Sequence, residues 1–113
     1  MVIVRGTLTL EELRQMAARR FGDMVKAVVD VDRELLAVDA ELHADLEALL
    51  LGDGSQQKSL WGINLYPEMP GEASIEFDSL INIRPSQGNR SRGVEQEAIR
   101  KTIAAVVDKR LAR

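Results

Sequence analysis

The alternating residues at positions 24–32, MVKAVVDVD, constrain the fold more than any other part of the chain. Valine and alanine hold the odd positions and the even positions are mostly polar, which is the period of a β-strand with one buried face. A tight turn near Asp32 and Arg33 would return residues 35–38, LLAV, as an antiparallel partner. The sequence therefore predicts a β-hairpin over these residues.

Helical patterns lie before, between and after the strands. Thr9 and Glu12 form a capping box that begins an N-terminal helix, and Gly22 ends it. A short, acidic middle helix is expected from about Leu42 to a glycine-rich stop at residues 52–55. A C-terminal helix is predicted over residues 94–112, with acidic residues in its first turn and basic residues in its last, which complements the helix dipole.

Further strand patterns occur at residues 2–4, 60–66 and 75–84. In the last two, odd positions are mostly apolar and would face each other across a second hairpin, which places Asn64 opposite Glu76 or Asp78. Neighbouring strands with helices around them predict an α+β two-layer sandwich. It would have about five mainly antiparallel strands, helices on one face, and one domain over residues 1–113.

Composition limits the classes of function. The chain has a formal net charge of -3 and no cysteine, so thiol catalysis, disulfides and zinc–thiolate sites are excluded. No apolar run approaches the roughly 18 residues that span a membrane, and the N-terminus lacks an export leader, so we expect a cytoplasmic location and no membrane partner. Charge is uneven: residues 39–53 carry five acids and no Lys or Arg, whereas residues 82–92 carry three arginines and no acid.

The basic loop at residues 84–92, RPSQGNRSR, is the first candidate site. Guanidinium, hydroxyl, amide and main-chain N–H groups ahead of a helix are the groups that bind phosphate or carboxylate. The candidate ligands of an anionic small molecule, a nucleotide or RNA are Arg84, Ser86, Asn89, Arg90, Ser91 and Arg92. Alternatively, acidic neighbours such as Glu76 or Asp78 pair with these arginines and only order the loop.

The second candidate is a polar face of the second hairpin, which comprises Asn64, Tyr66, Glu76, Asp78 and Asn82, with His43 nearby. His43 and the two carboxylates could serve a metal-assisted hydrolase. The simpler interpretation is that His43 and Asp45 cap the middle helix, so we expect no metal and no cofactor. A third possibility is a structural or regulatory protein that forms a homodimer or binds a partner. With no nucleotide-binding or nucleophile motif, the sequence favours a protein that is not an enzyme.

Several segments together resemble a family of small bacterial and archaeal proteins classed as a domain of unknown function. The resemblance rests on KAVVDVDRELLAV, ELHADLEALLLGDGS, LWGINLYP and IEFDSLINIRPSQGNRSRGVE. It covers nearly the whole chain and implies one complete domain. It implies no activity and no catalytic residue.

Overall fold

The computed structural model describes residues 1–112. Its strands, in chain order, are β1 (Val2–Val4), β2 (Leu8–Thr9), β3 (Val25–Asp30), β4 (Leu35–Val38), β5 (Leu60–Leu65), β6 (Ile75–Glu76) and β7 (Leu111–Ala112). Its α-helices are α1 (Leu10–Arg20), α2 (His43–Gly52) and α3 (Glu97–Arg110). No helix within residues 1–112 combines the length and the apolar character needed to cross a membrane.

A five-stranded sheet in the order β1-β4-β3-β5-β6 is antiparallel throughout, and β2 pairs with β7 in a separate parallel ribbon. The predicted hairpin of β3 and β4 is confirmed. Its turn is fixed by Asp30, whose Oδ1 accepts hydrogen bonds from the N–H groups of Asp32 and Arg33 at 2.9 Å. The capping box of Thr9 and Glu12 at α1 is also confirmed. The α+β class, the five antiparallel strands and the three helices therefore agree with the sequence prediction.

The helices lie on both faces of the sheet, which differs from the predicted placement on one face. Ala27, Val29 and Ile63 face α1 and α3, whose Leu13 and Ile103 complete the main core. Residues of the opposite parity, among them Val28 and Leu60, pack against Leu46 and Leu50 of α2. Val28 of β3 and Leu35 and Ala37 of β4 are apolar residues on this second face, so the middle helix covers it.

Two predicted elements have other bounds. The strand expected over residues 75–84 ends at Glu76, and residues 77–96, here called the edge segment, continue as 3-10 turns and loops along the border of the sheet. The C-terminal helix begins at Glu97 and ends at Arg110 because the chain becomes extended at Leu111, which is buried and pairs with Leu8. Arg113 lies outside the described residues.

Candidate functional site

The edge segment is attached to β5 by the side chain of Asn82, which takes the place of a neighbouring strand. Its Oδ1 accepts a hydrogen bond from the Gly62 N–H at 2.8 Å, and its Nδ2 donates to the Gly62 carbonyl oxygen at 2.9 Å. The same Nδ2 donates to the carbonyl oxygen of Arg92 at 2.9 Å. Asn82 is fully buried, so its amide satisfies main-chain groups that water does not reach. Asn82 is thus part of the scaffold beneath the predicted polar face.

Asn89 organises the second half of the edge segment. Its Nδ2 donates to the carbonyl oxygens of Asn82 and Gly93, both at 2.8 Å, and its Oδ1 accepts from the Glu95 N–H at 2.9 Å. The side chain is buried. Asn89, one of the predicted anion ligands, therefore shapes the basic loop from within.

Arg84 is half-buried and binds main-chain oxygens. One guanidinium nitrogen donates to the carbonyl oxygen of Leu60 at 2.5 Å, and the other donates to that of Gln57. The guanidinium carbon lies 4.1 Å from the centroid of the Trp61 ring, a cation–π geometry. Burial lowers the pKa of Arg84, and the negative charge of Glu47 opposes that shift. Within residues 1–112 no carboxylate forms an ion pair with Arg84.

The other two arginines of the basic loop are exposed and differ in their partners. Arg92 Nε lies 2.6 Å from Asp78 Oδ1, an ion pair between two partly exposed side chains. Arg90 has no side-chain hydrogen bond or ion pair to any of residues 1–112. The sequence left open whether these arginines pair with internal carboxylates. In the structure Arg92 forms such a pair and Arg90 does not.

Main-chain N–H groups of the basic loop are already bound to a carboxylate. Glu95 accepts hydrogen bonds from the N–H of Arg90 and, at 3.3 Å, from the N–H of Ser91. The hydroxyl-bearing residues Ser86 and Ser91 are exposed on the same loop. An external anion would therefore meet side chains here, because an internal carboxylate occupies the amides.

The predicted polar face does assemble at the border between β5 and β6. Asn64 stands opposite Glu76 in register, as predicted, and its Nδ2 donates to Glu76 Oε1 at 2.8 Å. Tyr66 donates its hydroxyl hydrogen to the same oxygen at 3.1 Å, and Asp78 contributes its carbonyl oxygen 3.5 Å from Asn64 Nδ2. Burial, followed by the hydrogen bond to Glu76, raises the pKa of Tyr66. Two donors thus orient the Glu76 carboxylate.

His43 is buried below this face and does not cap α2. Residue Leu42 is the N-cap, in extended conformation and without a side-chain cap, while His43 Nε2 lies 2.8 Å from the Ile63 carbonyl oxygen. Burial lowers the pKa of His43 and outweighs the hydrogen bond to Ile63, which raises it. A neutral imidazole whose Nε2 donates to the carbonyl satisfies this contact. The predicted capping role of His43 is therefore wrong.

The buried imidazole predicts a loss of stability in mild acid. Because the pKa of His43 is lower in the folded chain, the unfolded chain takes up a proton first as the pH falls below about 6.5, and unfolding becomes easier. His43→Gln, which keeps a donor but cannot titrate, should remove that component. Urea unfolding at about pH 7.5 and about pH 5 measures it. An equal loss of stability in the parent chain and in His43→Gln would contradict the assignment to His43. The lowered pKa values of Asp39 and Asp53 affect stability only nearer pH 4, below this range.

Residues 1–112 contain no group of three or more His, Asp or Glu side chains placed to hold a metal ion. Within that part of the chain, His43, Glu76 and Asp78 are therefore not grouped as ligands of one ion. One cation of the polar face was missed from the sequence: Lys26 of β3 pairs in register with Asn64. Lys26 occupies an even position of the alternating strand β3, but its neighbour Asn64 could be identified only from the pairing of β3 with β5.

Comparison with known proteins gives a match to a protein family. The profile of a family described as a protein of unknown function (DUF5674) matches residues 2–110. No curated protein and no solved structure matches the chain.

Proposed function

We propose that this chain, which belongs to the DUF5674 family, is a binding module that holds a phosphate-bearing ligand against Arg90. One observation carries the proposal: the guanidinium groups of Arg84 and Arg90 form no ion pair with a carboxylate among residues 1–112. Their charges add at one loop of a chain whose net charge is -3. Such a local excess of positive charge attracts anions even on an acidic protein.

The two arginines have different parts in this site. Arg84 is fixed beneath the loop by main-chain oxygens and Trp61, so it supplies charge without needing to move. Arg90 is exposed and free to form a bidentate, charge-assisted contact with phosphate oxygens. The exposed hydroxyls of Ser86 and Ser91 are donors on the same loop. The ligand is bound by side chains, because Glu95 occupies the main-chain amides.

Binding rather than catalysis is the better-supported role. The imidazole of His43 is buried, and its Nε2 contacts the main-chain carbonyl oxygen of Ile63. A general base must lie within hydrogen-bonding reach of the proton that it removes. On the sequence grounds given above, we also propose a cytoplasmic location.

Charge reversal at Arg90 tests the proposal. Arg90→Glu should weaken binding of inorganic pyrophosphate and of a short single-stranded RNA by about tenfold or more, since one charge-assisted contact is lost and replaced by repulsion. Lys101→Glu, which makes the same charge change at an exposed position of α3, is the matched control. Calorimetric titration at low and high salt measures the affinity of both variants and of the parent chain for each ligand. Equal affinity of Arg90→Glu and the parent chain would refute the site.

Glu95→Ala should change the affinity for pyrophosphate in the opposite direction from Arg90→Glu. It frees the N–H groups of Arg90 and Ser91 and removes a negative charge, so pyrophosphate should bind more tightly. Weaker binding in this variant, with an unchanged circular dichroism spectrum, would mean that the anion does not sit at this loop.

A further inference from the structure

Three residues of the polar face form a row across neighbouring strands. Lys26 of β3 pairs in register with Asn64 of β5, which pairs in register with Glu76 of β6. Neighbouring strands lie about 4.8 Å apart, so the main chains at the two ends of the row are roughly 10 Å from each other. Among the described residues no ion pair joins Lys26 to Glu76. The row therefore presents a cation, an amide and an anion, with the two charges apart.

The amide of Asn64 has one hydrogen-bonding atom that the chain does not use. Its Nδ2 donates to Glu76 Oε1 at 2.8 Å. Because the oxygen and nitrogen of an amide point away from each other, Oδ1 faces the Lys26 side of the row. Asn64 is 5% exposed, and its Oδ1 has no hydrogen-bond partner among the described residues. A buried acceptor without a donor is costly, so this oxygen indicates a donor that a ligand supplies.

The buried imidazole of His43 does not supply that donor. Burial, the largest cause, lowers the pKa of His43, and the proximity of Asn64 raises it. A neutral ring carries a single N–H, and the Nε2 of His43 uses it on the Ile63 carbonyl oxygen at 2.8 Å. The Nδ1 of His43 is then an acceptor, as Asn64 Oδ1 is. A bound molecule that carries hydrogen-bond donors would satisfy the oxygen.

Both charged ends of the row also have groups available for a ligand. Glu76 is exposed; its Oε1 accepts from Asn64 and Tyr66, whereas its Oε2 has no hydrogen bond with the described residues. Lys26 forms no ion pair and no hydrogen bond with the described residues, and its Nζ lies 5.3 Å from the centroid of the Phe21 ring. A ligand at this row thus meets one cation, one carboxylate oxygen and one amide oxygen.

We propose that the row binds a free α-amino acid. The ammonium group of an amino acid has three N–H donors, which bind Asn64 Oδ1 and Glu76 Oε2, and its carboxylate binds the ammonium group of Lys26. A metal ion fits less well, because residues 1–112 contain no group of three His, Asp or Glu side chains that could hold one. A simple amine or a sugar leaves at least one charge of the row without a partner. The site uses none of the side chains assigned to the anion site at Arg90.

Calorimetric titration of the full chain with three small molecules tests the ligand class. L-Alanine should bind. N-acetyl-L-alanine lacks the ammonium group and ethylamine lacks the carboxylate. Each should bind at least about tenfold more weakly than L-alanine, since each loses a charge-assisted contact.

Two variants with matched controls test the residues. Glu76→Gln and Lys26→Met should each raise the dissociation constant for L-alanine by about tenfold or more. Glu76→Gln keeps the oxygen that accepts the hydrogen bonds of its neighbours, so the fold is preserved. Glu72→Gln and Lys58→Met, the same substitutions at exposed positions outside the row, should leave the constant unchanged. Circular dichroism verifies folding of each variant.

Three outcomes would overturn the inference. No binding of L-alanine at concentrations up to about 10 mM would remove the site. Binding of ethylamine or N-acetyl-L-alanine as tight as that of L-alanine would mean that the row does not recognise both charges of an amino acid. An unchanged affinity in Glu76→Gln would place the bound amino acid elsewhere. Arg90→Glu should leave L-alanine binding intact, and Glu76→Gln should leave pyrophosphate binding intact, so the two sites are tested separately.

Discussion

Replacing Asn82 with alanine should lower the free energy of unfolding by about 2–6 kcal/mol, because two buried main-chain groups of Gly62 lose their partners at about 1–3 kcal/mol each. The Asn82 amide satisfies the N–H and the carbonyl oxygen of Gly62 at 2.8 and 2.9 Å, and it also binds the carbonyl oxygen of Arg92. Asn82 is fully buried, so these main-chain groups are shielded from bulk water. The effect should appear in urea unfolding as a lower midpoint.

Two further variants separate the lost hydrogen bonds from the lost volume. Asn82→Asp keeps the shape and one acceptor but cannot donate to the Gly62 carbonyl oxygen, so it should destabilise the fold as well. Gln87→Ala removes an exposed amide from the same segment and should change stability by less than about 0.5 kcal/mol. An Asn82→Asp chain as stable as the parent would show that the amide does not act as a strand substitute.

The elements predicted from the sequence are those whose signals are local. The hairpin of β3 and β4 follows from a two-residue period, and the structure adds that the side chain of Asp30 caps its turn. Helix α1 follows from the capping box at Thr9 and Glu12. The pairing of Asn64 with Glu76 follows from matching apolar faces. Each depends on residues close in sequence or on parity alone.

The misassigned elements depend on partners distant in the chain. Residues 77–84 alternate like a strand, but a strand there would need main-chain pairing along β5, and the side chain of Asn82 takes that position at Gly62. Alternation of polar and apolar residues occurs both in a strand and in a segment such as this one, where the Asn82 side chain makes the hydrogen bonds that a strand would make through its main chain. The placement of α2 on the opposite face was not predicted for a similar reason: Val28 is an exception to the alternation of residues 24–32, although together with Leu35 it lines a second core.

The candidate site was only partly accessible to sequence reasoning. Composition located the basic loop, and parity located the carboxylates that could neutralise it. Which arginine pairs with which group depended on the path of the edge segment: Arg92 meets Asp78, Arg84 turns inward to Leu60 and Trp61, and only Arg90 stays free. Guanidinium groups reach several ångströms from the main chain, so sequence spacing does not determine their partners.

Buried polar side chains are concentrated beneath the same border of the sheet. Asn64, Asn82, Asn89 and His43 are all buried there, below the exposed groups of the polar face and the basic loop. Burying amides is costly unless their bonds are fully made, and apolar residues would stabilise a core more simply. Such a layer is useful where it fixes the positions of exposed side chains. This distribution supports a binding role for the border rather than a purely structural one.

Gly62→Ala should destabilise the chain by about 3 kcal/mol, the upper end of the usual 1–3 kcal/mol for overpacking. A Cβ at position 62 would lie 2.5 Å from the Cβ and 2.6 Å from the Oγ of Ser79, where the edge segment crosses β5. Gly62 sits in a strand held on one side by β3 and on the other by Asn82, so neither partner can move without losing hydrogen bonds. Thermal or urea unfolding would measure the loss.

Ser79→Gly in the Gly62→Ala background should recover part of that stability, because it removes the two atoms nearest to the new methyl group and leaves Ile81 Cγ1 at 3.1 Å. The single Ser79→Gly change loses a weak hydrogen bond from the Ile81 N–H, at 3.3 Å, and adds main-chain freedom. The double-mutant cycle should therefore give a favourable coupling of at least about 1 kcal/mol, as expected for residues in direct contact. Simple additivity of the two losses would mean that the edge segment does not cross the sheet at Gly62.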